Sequence, residues 1–369
     1  MWLRRVQVII TNKDDPSKKT VFEKHSIEFE VRSIIGWGAD TATVTIYNLS
    51  LEEVKFLQNK EFGDLPVEIR AGYADMLASG GINNRTTTSS TKTSSSGSVI
   101  EINDGAVLPT IFSGVITNAV GFKRAPEHIT TLFCVSKAAT NSSTFIQMQD
   151  IPAGATLRNA IKSMCGDYGF NTVSAFGIND ADLDVVLPTG RVFHDTFINE
   201  FTALLGEHNL RFYMATSEVQ IFPDTYGDAD AVSRMSKDRE PIKIDANSVI
   251  GTPVAGIGIF DLDVYLRADL QPGMIIDISP LLGTDLLANG VVNVNNQKQL
   301  LNYDDSVFRY GMRDTYMIES VISYGCTHDE TFQTSIHGIL DGMASNGLNE
   351  SNWQNWYARS GMSMTSEGF

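Results

Sequence analysis

The first third of the chain alternates apolar and polar residues with the period that is typical of half-buried β-strands. In the segment HSIEFEVRS, Ile27, Phe29 and Val31 share one face, and charged residues occupy the other. The segment TATVTIY, which follows it, alternates in the same way and places Val44 and Ile46 on its apolar face. We therefore expect the chain to begin with a β-rich region.

The strand TATVTIY passes into a short helix within three residues. Ser50 is a good helix cap, and Glu53 stands three residues later, which together form the sequence pattern of a capping box. Val54 and Leu57 give the helix one apolar side. The pattern predicts an ordinary turn from strand to helix, and nothing in it suggests catalysis.

The middle of the chain changes from strand to helix periodicity. PAGATLRNAIKSMCGDYGF carries Leu157, Ile161 and Met164 at helical spacing. RVFHDTFINEFTALLGEHNL predicts a second amphipathic helix with Phe197 and Phe201 on its apolar side. LRFYMATSEVQIFPD then predicts a hairpin of two strands, so this part is an α/β segment.

The last third returns to strands, in GIGIFDLDVYL, GMIIDISP, DTYMIESVISYG and FQTSIHGIL. We expect a first β domain at 1–130, an α/β middle domain at 131–245 and a second β domain at 246–340. The Ser/Thr/Gly-rich stretch at 79–98 predicts a flexible loop inside the first domain. A polar tail, 341–369, follows the last strand.

Composition and charge narrow the classes of function. The formal net charge of −16 argues against a nucleic-acid-binding surface, which needs clustered Lys and Arg, and against docking on anionic membranes. The three cysteines form no CxxC pair, which argues against a disulfide or zinc scaffold. No stretch reaches the ~18 apolar residues of a transmembrane helix, so we expect no membrane insertion and a protein that starts in the cytoplasm.

The sequence lacks three common motifs of catalysis and of nucleotide or metal binding. The chain has no HExxH, no GxSxG and no Walker loop. The acidic stretch NDADLDVVLPTGR begins like a calcium loop, but Val185 stands where that loop needs Gly and Arg191 where it needs Glu. We therefore predict no catalytic residue, no cofactor and no metal.

Several motifs in order resemble the baseplate hub proteins of contractile-tailed bacteriophages. ATVTIYNLS followed by a helix, VEIRAGY and IFSGVITNA resembles the opening of that family. SVIGTPVAGIGIFDLDVYLRADLQPGMIIDIS resembles the start of its second barrel, and YMIESVISYGCTHDETFQTSIHG its closing strand pair. The resemblance covers most of residues 1–340.

The resemblance implies a mainly β fold of the α+β class, with two tube-protein-like β-barrel domains around an α/β middle segment. It also implies a homotrimer in which three chains form a ring of six similar barrels. That ring would adapt the six-fold tail tube to the three-fold central spike in the virion tail baseplate, after assembly in the host cytoplasm. The partners implied are the tail tube protein, the central spike protein, other baseplate proteins and the tape-measure protein, with DNA passing through the channel without specific binding.

On this resemblance we predict that the joint at 41–57 is the edge strand and flanking helix of the first barrel. The residues expected to make contacts between proteins lie on that strand, at the start and the Pro-Gly turn of the second barrel, and in the aromatic tail: Val44, Ile46, Tyr47, Gly251, Pro253, Leu270, Pro272, Gly273, Trp353, Trp356 and Tyr357.

Two other functions remain open at this stage. A β-rich tail-associated hydrolase acting on cell-wall glycan or peptide would need a His-based or paired-carboxylate site, near His194 and Asp195 or near His328 and Glu330. A carbohydrate-binding module would need an exposed aromatic platform, and the clearest aromatic cluster lies in the tail.

Overall fold

A computed structural model describes most of the chain, and its described residues are mainly β. The described ranges are 4–12, 19–36, 40–58, 65–73, 108–138, 149–170, 172–215, 218–224, 230–255, 259–281, 291–294, 297–300 and 315–339. The predicted loop at 79–98 and the predicted tail at 341–369 lie outside these residues. The prediction of a mainly β fold is confirmed.

The elements follow the predicted order of strands, mixed segment and strands. The first part holds β1 (Arg4–Thr11), β2 (Lys19–Phe22), β3 (Ile27–Ile34), β4 (Thr41–Tyr47), α1 (Leu51–Gln58), β5 (Pro66–Tyr73), β6 (Thr110–Arg124) and β7 (Glu127–Ser136). The middle holds β8 (Gln149–Ile151), α2 (Leu157–Asp167), β9 (Thr172–Ala175), α3 (Asp180–Leu183), β10 (Arg191–Phe193), α4 (Phe197–Gly206), β11 (Leu210–Met214), β12 (Glu218–Pro223) and α5 (Ala231–Asp238).

The last part holds β13 (Ile242–Lys243), β14 (Val249–Ala255), β15 (Ile259–Tyr265), β16 (Ile275–Asp277), β17 (Val291–Val294), β18 (Gln297–Leu300), β19 (Thr315–Cys326) and β20 (Phe332–Ile339). We call β1 to β7 the first wing, and β13 to β16 with β19 and β20 the second wing. The elements from β8 to α5 form the middle unit.

One sheet of thirteen strands contains both wings. Its order is β14-β15-β20-β19-β3-β4-β7-β6-β5-β1-β2, with β16 beside β19 and β13 beside β16. The wings meet where β19 pairs antiparallel with β3, over the register from Ser320 opposite Ile34 to Cys326 opposite Glu28. A strand from the end of the chain therefore completes the sheet begun near its start.

Each wing and the middle unit has its own cluster of buried apolar side chains. The first-wing cluster contains Val44, Ile46 and their neighbours, and the second-wing cluster contains Phe260 and Tyr316. The middle unit packs around residues such as Phe197. The division into domains at 1–130, 131–245 and 246–340 stays a prediction, since one continuous sheet joins the first and last of them.

The local predictions for the joint at the end of β4 are confirmed. Val44 and Ile46 are buried, as the alternation predicts. Ser50 N–H donates to Glu53 Oε2 at 2.8 Å, and Glu53 N–H donates to Ser50 Oγ at 3.3 Å, which is a complete capping box. The expectation that this strand lies at an edge is wrong, because β4 pairs with β3 on one side and β7 on the other.

The predicted helices and hairpin of the middle unit are also confirmed. Leu157, Ile161 and Met164 are buried on α2, and Phe197 and Phe201 are buried on α4. The strands β11 and β12 pair antiparallel as the hairpin, and β12 also pairs with β9 in parallel.

Gly325 allows close packing at the junction of the wings, and its substitution provides a test. An added Cβ would lie 2.2 Å from Phe29 Cε1, and the Phe29 ring meets Phe332 edge to face at 6.2 Å in the first-wing core. We expect Gly325→Ala to lower the free energy of unfolding by about 1–3 kcal/mol because it overpacks this contact.

The measurement is chemical denaturation of purified protein. Gly166→Ala in α2 is the matched control, since its Cβ position meets nothing within 4 Å beyond its chain neighbours and the backbone of its own helix, and it should be neutral or slightly stabilising. Equal stability of the Gly325→Ala protein and the wild type would show that the junction is not tightly packed.

Candidate interaction site

The middle unit packs on the sheet through β11, whose alternate side chains contact different neighbours. Phe212 and Met214 belong to the core of the middle unit. Tyr213 belongs to a separate apolar cluster that it shares with Ile35 of the first wing and Met317 of the second. The three parts of the chain therefore share one interface, and β11 is its central strand.

A tyrosine–carboxyl pair ties the middle unit to the first wing. The Tyr213 hydroxyl donates to Asp40 Oδ2 at 2.9 Å. Asp40 is half-buried as a residue, but its Oδ1 exposes less than 1 Å². Burial raises the pKa of Asp40 to about 6, although hydrogen bonds from Ser33 and Tyr213 act in the opposite direction. The Asp40 carboxyl therefore titrates near pH 6, where most surface carboxyls are already ionised.

A line of charged side chains ties the middle unit to the second wing. Arg211 Nη2 lies 3.1 Å from Glu319 Oε1, and Glu319 Oε2 lies 3.6 Å from His337 Nε2. The other ring nitrogen of His337 lies 2.5 Å from Asp261 Oδ1. The hydrogen bond to Asp261 raises the pKa of His337, and the charge of Glu319 adds to the effect. The arrangement favours an imidazolium between two carboxylates.

The turn at Leu270–Gly273, which was predicted to contact another protein, is buried in the folded chain. Leu270 is buried in the second-wing core, and Pro272 and Gly273 are buried as well. Gly273 has a φ of +81°, and an added Cβ would lie 2.7 Å from Phe222 Cε1 of the middle unit. The turn therefore joins the second wing to the middle unit, and contact with another protein at these residues stays a prediction.

A cavity of about 160 Å³ lies where the two wings and the middle unit meet. Hydroxyl and charged side chains line it together with apolar ones: Val31, Ser33, Asp40, Thr110, Ile111, Phe112, Ser113, Tyr213, Ala215, Arg267, Ala268, Leu270, Gln271, Val321 and Ser323. Neither histidine nor cysteine is among these lining residues. The lining therefore offers serine hydroxyls without the neighbouring imidazole that would activate them.

The remaining predicted contact residues occupy different environments. Val44 and Ile46 are fully buried core residues, whereas Tyr47 is half-buried and donates to Glu28 Oε1 at 2.9 Å. Gly251 is exposed and Pro253 is buried on β14, the terminal strand of the second wing. Their role in binding another protein stays a prediction. Trp353, Trp356 and Tyr357 lie outside the described residues.

The outward face of the sheet carries apolar residues that sequence reasoning missed. Cross-strand pairs place Tyr265, Tyr324 and Phe133 on one face, through the registers that link β15, β20, β19, β3, β4 and β7. Phe122 and Val120 of β6 are exposed on the same face. Alternation marks an outward position but cannot tell whether a partner covers it, so the sequence held no signal for this surface.

The residues predicted as candidates for catalysis or metal binding are exposed or bonded to nearby residues of the chain. His194 is exposed, and Asp195 accepts from Thr196 N–H at 2.6 Å at the start of α4. His328 N–H donates to Cys326 Sγ at 3.5 Å in the turn after β19. In the acidic stretch, Asp180 and Asp184 both bind Arg158, at 2.6 and 2.8 Å.

The described residues lack the features of two other classes of function. No group of three or more His, Cys, Asp and Glu side chains in the described ranges is placed to hold a metal ion. No helix in the described part of the chain combines the length and the apolar character that a membrane crossing needs.

Burial raises the pKa of the Cys134 and Cys165 thiols to about 12 each, so both are unreactive at neutral pH.

Comparison with solved structures identifies the fold. A tail protein from Neisseria meningitidis has a TM-score of 0.50 at 10% identity, over 92% of this chain and 97% of that one. An Escherichia coli component of the type VI secretion system, described as similar to T4 tail proteins gp27 and gp5, has a TM-score of 0.47 at 11% identity, over 89% and 76% of the two chains. A prophage tail protein from Shewanella oneidensis has a TM-score of 0.47 at 8% identity, over 93% and 100%.

The likeness to the Neisseria meningitidis protein shows a shared overall fold. No family model matches the sequence. No curated protein matches it either. The fold of a tail protein is therefore established by structure alone, at a sequence identity too low to carry over individual residues.

The titration of Asp40 predicts how stability changes with pH. Its folded pKa of about 6 lies above the ordinary value of 3.8, so its contribution to stability is present below pH 4 and is lost as the pH rises through 6. We expect Asp40→Asn to remove this loss, which is worth up to about 3 kcal/mol at pH 8. The unfolding midpoints of both proteins should be compared between pH 4.5 and pH 8.

The expected result is that Asp40→Asn gains stability over the wild type as the pH rises. Asp150→Asn, at an exposed position of β8, is the matched control and should show a constant difference from the wild type. A constant difference for Asp40→Asn as well would mean that the carboxyl is not buried at this interface.

Proposed function

We propose that the chain is a structural component of a phage tail baseplate, a trimeric hub ring that adapts the six-fold tail tube to the three-fold central spike. The observation that supports the proposal best is the pair of wings in one sheet, each with its own core, in a fold shared with a tail protein from Neisseria meningitidis. Three chains with two wings each would present six similar units to a six-fold tube.

The geometry of the wings supports a ring rather than a catalytic site. A heterologous ring needs two different surfaces on each chain that meet on neighbouring copies. The two ends of the sheet, at β14 and at β2, differ in strand composition and belong to different parts of the chain. The outward face between them carries exposed aromatic and aliphatic side chains, which is typical of surfaces that bind other proteins.

The proposed partners follow from the position of such a hub. The tail tube protein would bind on one side of the ring and the central spike protein on the other, with other baseplate proteins and the tape-measure protein as further partners. On the terminal strand β14, Gly251 is exposed to a neighbouring chain, whereas Pro253 is buried. The net charge of −16 suits a channel that DNA passes without binding.

The solution mass of the protein tests this proposal. We expect light scattering to give three times the mass of one chain, either for the protein alone or after addition of the central spike protein from the same phage. A hub ring must be trimeric to match the spike, so symmetry is the physical reason for this expectation.

The trimer should dissociate on dilution without loss of the folded state, and circular dichroism is the control for folding. A mass of one chain in both conditions, at micromolar concentration, would contradict the hub. In that case a cell-wall clearing assay with the wild type and with His328→Ala would test the alternative hydrolase.

A further inference from the structure

The cavity of about 160 Å³ between the two wings and the middle unit is open to solvent on one side. Its walls come from β3, β6, β11, β19 and the turn that follows β15. Thr110 and Ser113, at the start of β6, line the cavity and are exposed. A small molecule can therefore reach the cavity beside β6 while the chain stays folded.

The polar side chains of the lining include both hydrogen-bond donors and acceptors. The guanidinium of Arg267 can only donate. The hydroxyls of Ser33 and Ser323 and the amide of Gln271 can both donate and accept. A ligand that satisfies this lining must therefore offer donors and acceptors at several positions.

The charged side chains of the lining are already engaged. Arg267 donates from Nε to Asp269 Oδ1 at 2.9 Å and from Nη2 to Asp269 Oδ2 at 2.5 Å, which leaves Nη1 without a partner among the described residues. Asp40 Oδ2 accepts from the Tyr213 hydroxyl, and Asp40 Oδ1 exposes less than 1 Å². Among the lining residues there is thus no unpaired cation for an anionic ligand and no open carboxylate for a cationic one, so the cavity favours a neutral ligand.

Apolar side chains form the rest of the wall and help to define the size of the ligand. Val31, Phe112, Leu270 and Val321 contribute aliphatic and aromatic surface. A cavity of about 150 Å³ holds a single six-membered ring such as benzene. A pyranose has a ring of this size, with C–H groups for the apolar wall and hydroxyl groups for the polar side chains.

We propose that this cavity binds one neutral sugar ring, with Gln271, Ser323 and Arg267 as its hydrogen-bond partners. A sugar hydroxyl both donates and accepts, so it bonds to the Gln271 amide and to the Ser323 hydroxyl, and it accepts from Arg267 Nη1. The site is additional to the hub role, and it does not depend on the trimer.

Water is the competing occupant of the cavity. A polar cavity of this size also accommodates several water molecules. A ligand that displaces ordered water gains affinity only where its own groups reproduce the hydrogen bonds of that water. A hexose can do so with its hydroxyls, whereas cyclohexanol has the same size of ring and a single hydroxyl. Comparison of these two kinds of ligand therefore distinguishes a sugar site from an unspecific hole.

The test measures the binding of D-glucose, D-galactose, D-mannose and cyclohexanol to the full chain by isothermal titration calorimetry. Gln271→Leu removes the amide from the cavity, and Ser323→Ala removes a hydroxyl. Gln333→Leu and Ser320→Ala are the matched controls, because these residues lie on β20 and β19 outside the lining. Unfolding midpoints check the folding of each variant, and Ser323→Ala keeps the test available if Gln271→Leu does not fold.

We expect at least one hexose to bind with a Kd below about 10 mM, and cyclohexanol to bind at least about tenfold more weakly. Gln271→Leu should weaken hexose binding at least about tenfold, because it leaves sugar hydroxyls without a partner in the cavity. Ser323→Ala should weaken it severalfold for the same reason. Both control variants should bind the hexose as the wild type does.

Three results would overturn the proposal. They are cyclohexanol binding as tight as that of the hexoses, hexose binding that both cavity variants retain in full, and no hexose binding at all, which would mean that the cavity holds water only. The solution mass tests the trimer separately, so none of these results bears on the hub.

A disaccharide with the bound hexose at its non-reducing end identifies the source of the sugar. Binding equal to that of the free hexose would indicate the end of a glycan chain. Loss of binding would indicate a free monosaccharide, and either result supports a sugar site in the cavity.

Discussion

The pairing of β3 with β19 is the interaction on which the rest of the structure depends. It joins strands nearly three hundred positions apart, and it turns two β regions into one sheet. Closing so long a stretch of chain costs conformational entropy, which the contact must offset. The junction does so with side chains as well as strands: Phe332 of β20 packs between Phe29 and Tyr73, and the Tyr73 hydroxyl donates to Phe332 O at 2.7 Å.

The middle unit is held on this sheet by apolar packing around Tyr213. Asp40 is a titrating group in that contact, and His337 is a second titrating group nearby in the second wing. The pKa values of both Asp40 and His337 are raised in the folded chain. For Asp40 the neutral form is favoured by burial, and for His337 the charged form is favoured by its carboxylate partners. The sign is the same for both groups, since each contributes stability at low pH that is lost as the pH rises through its folded pKa. Both groups therefore make the folded chain less stable as the pH rises.

Local features of this fold could be predicted from sequence because short-range physics decides them. The buried face of β4, the capping box at Ser50 and the buried faces of α2 and α4 follow from periodicity and capping alone. The interior position of β4 in the sheet could not be predicted in this way, because it depends on pairing with β3 and β7. The turn at Gly273 reads as an ordinary surface Pro-Gly turn, and only the tertiary contact with Phe222 shows that it is buried.

The same distinction decides which side chains a second protein could contact. A side chain such as Val44 contributes to the first-wing core, and a neighbouring protein could reach it only if the sheet came apart. Residues on the outward face of the sheet have no such constraint, since Phe122 and Tyr265 are exposed while their strands are fully folded. The proposed ring of folded chains would therefore use the outward face of the sheet and its ends. In that proposal, the central strands would hold these surfaces at a fixed distance and angle, as a ring of defined size requires.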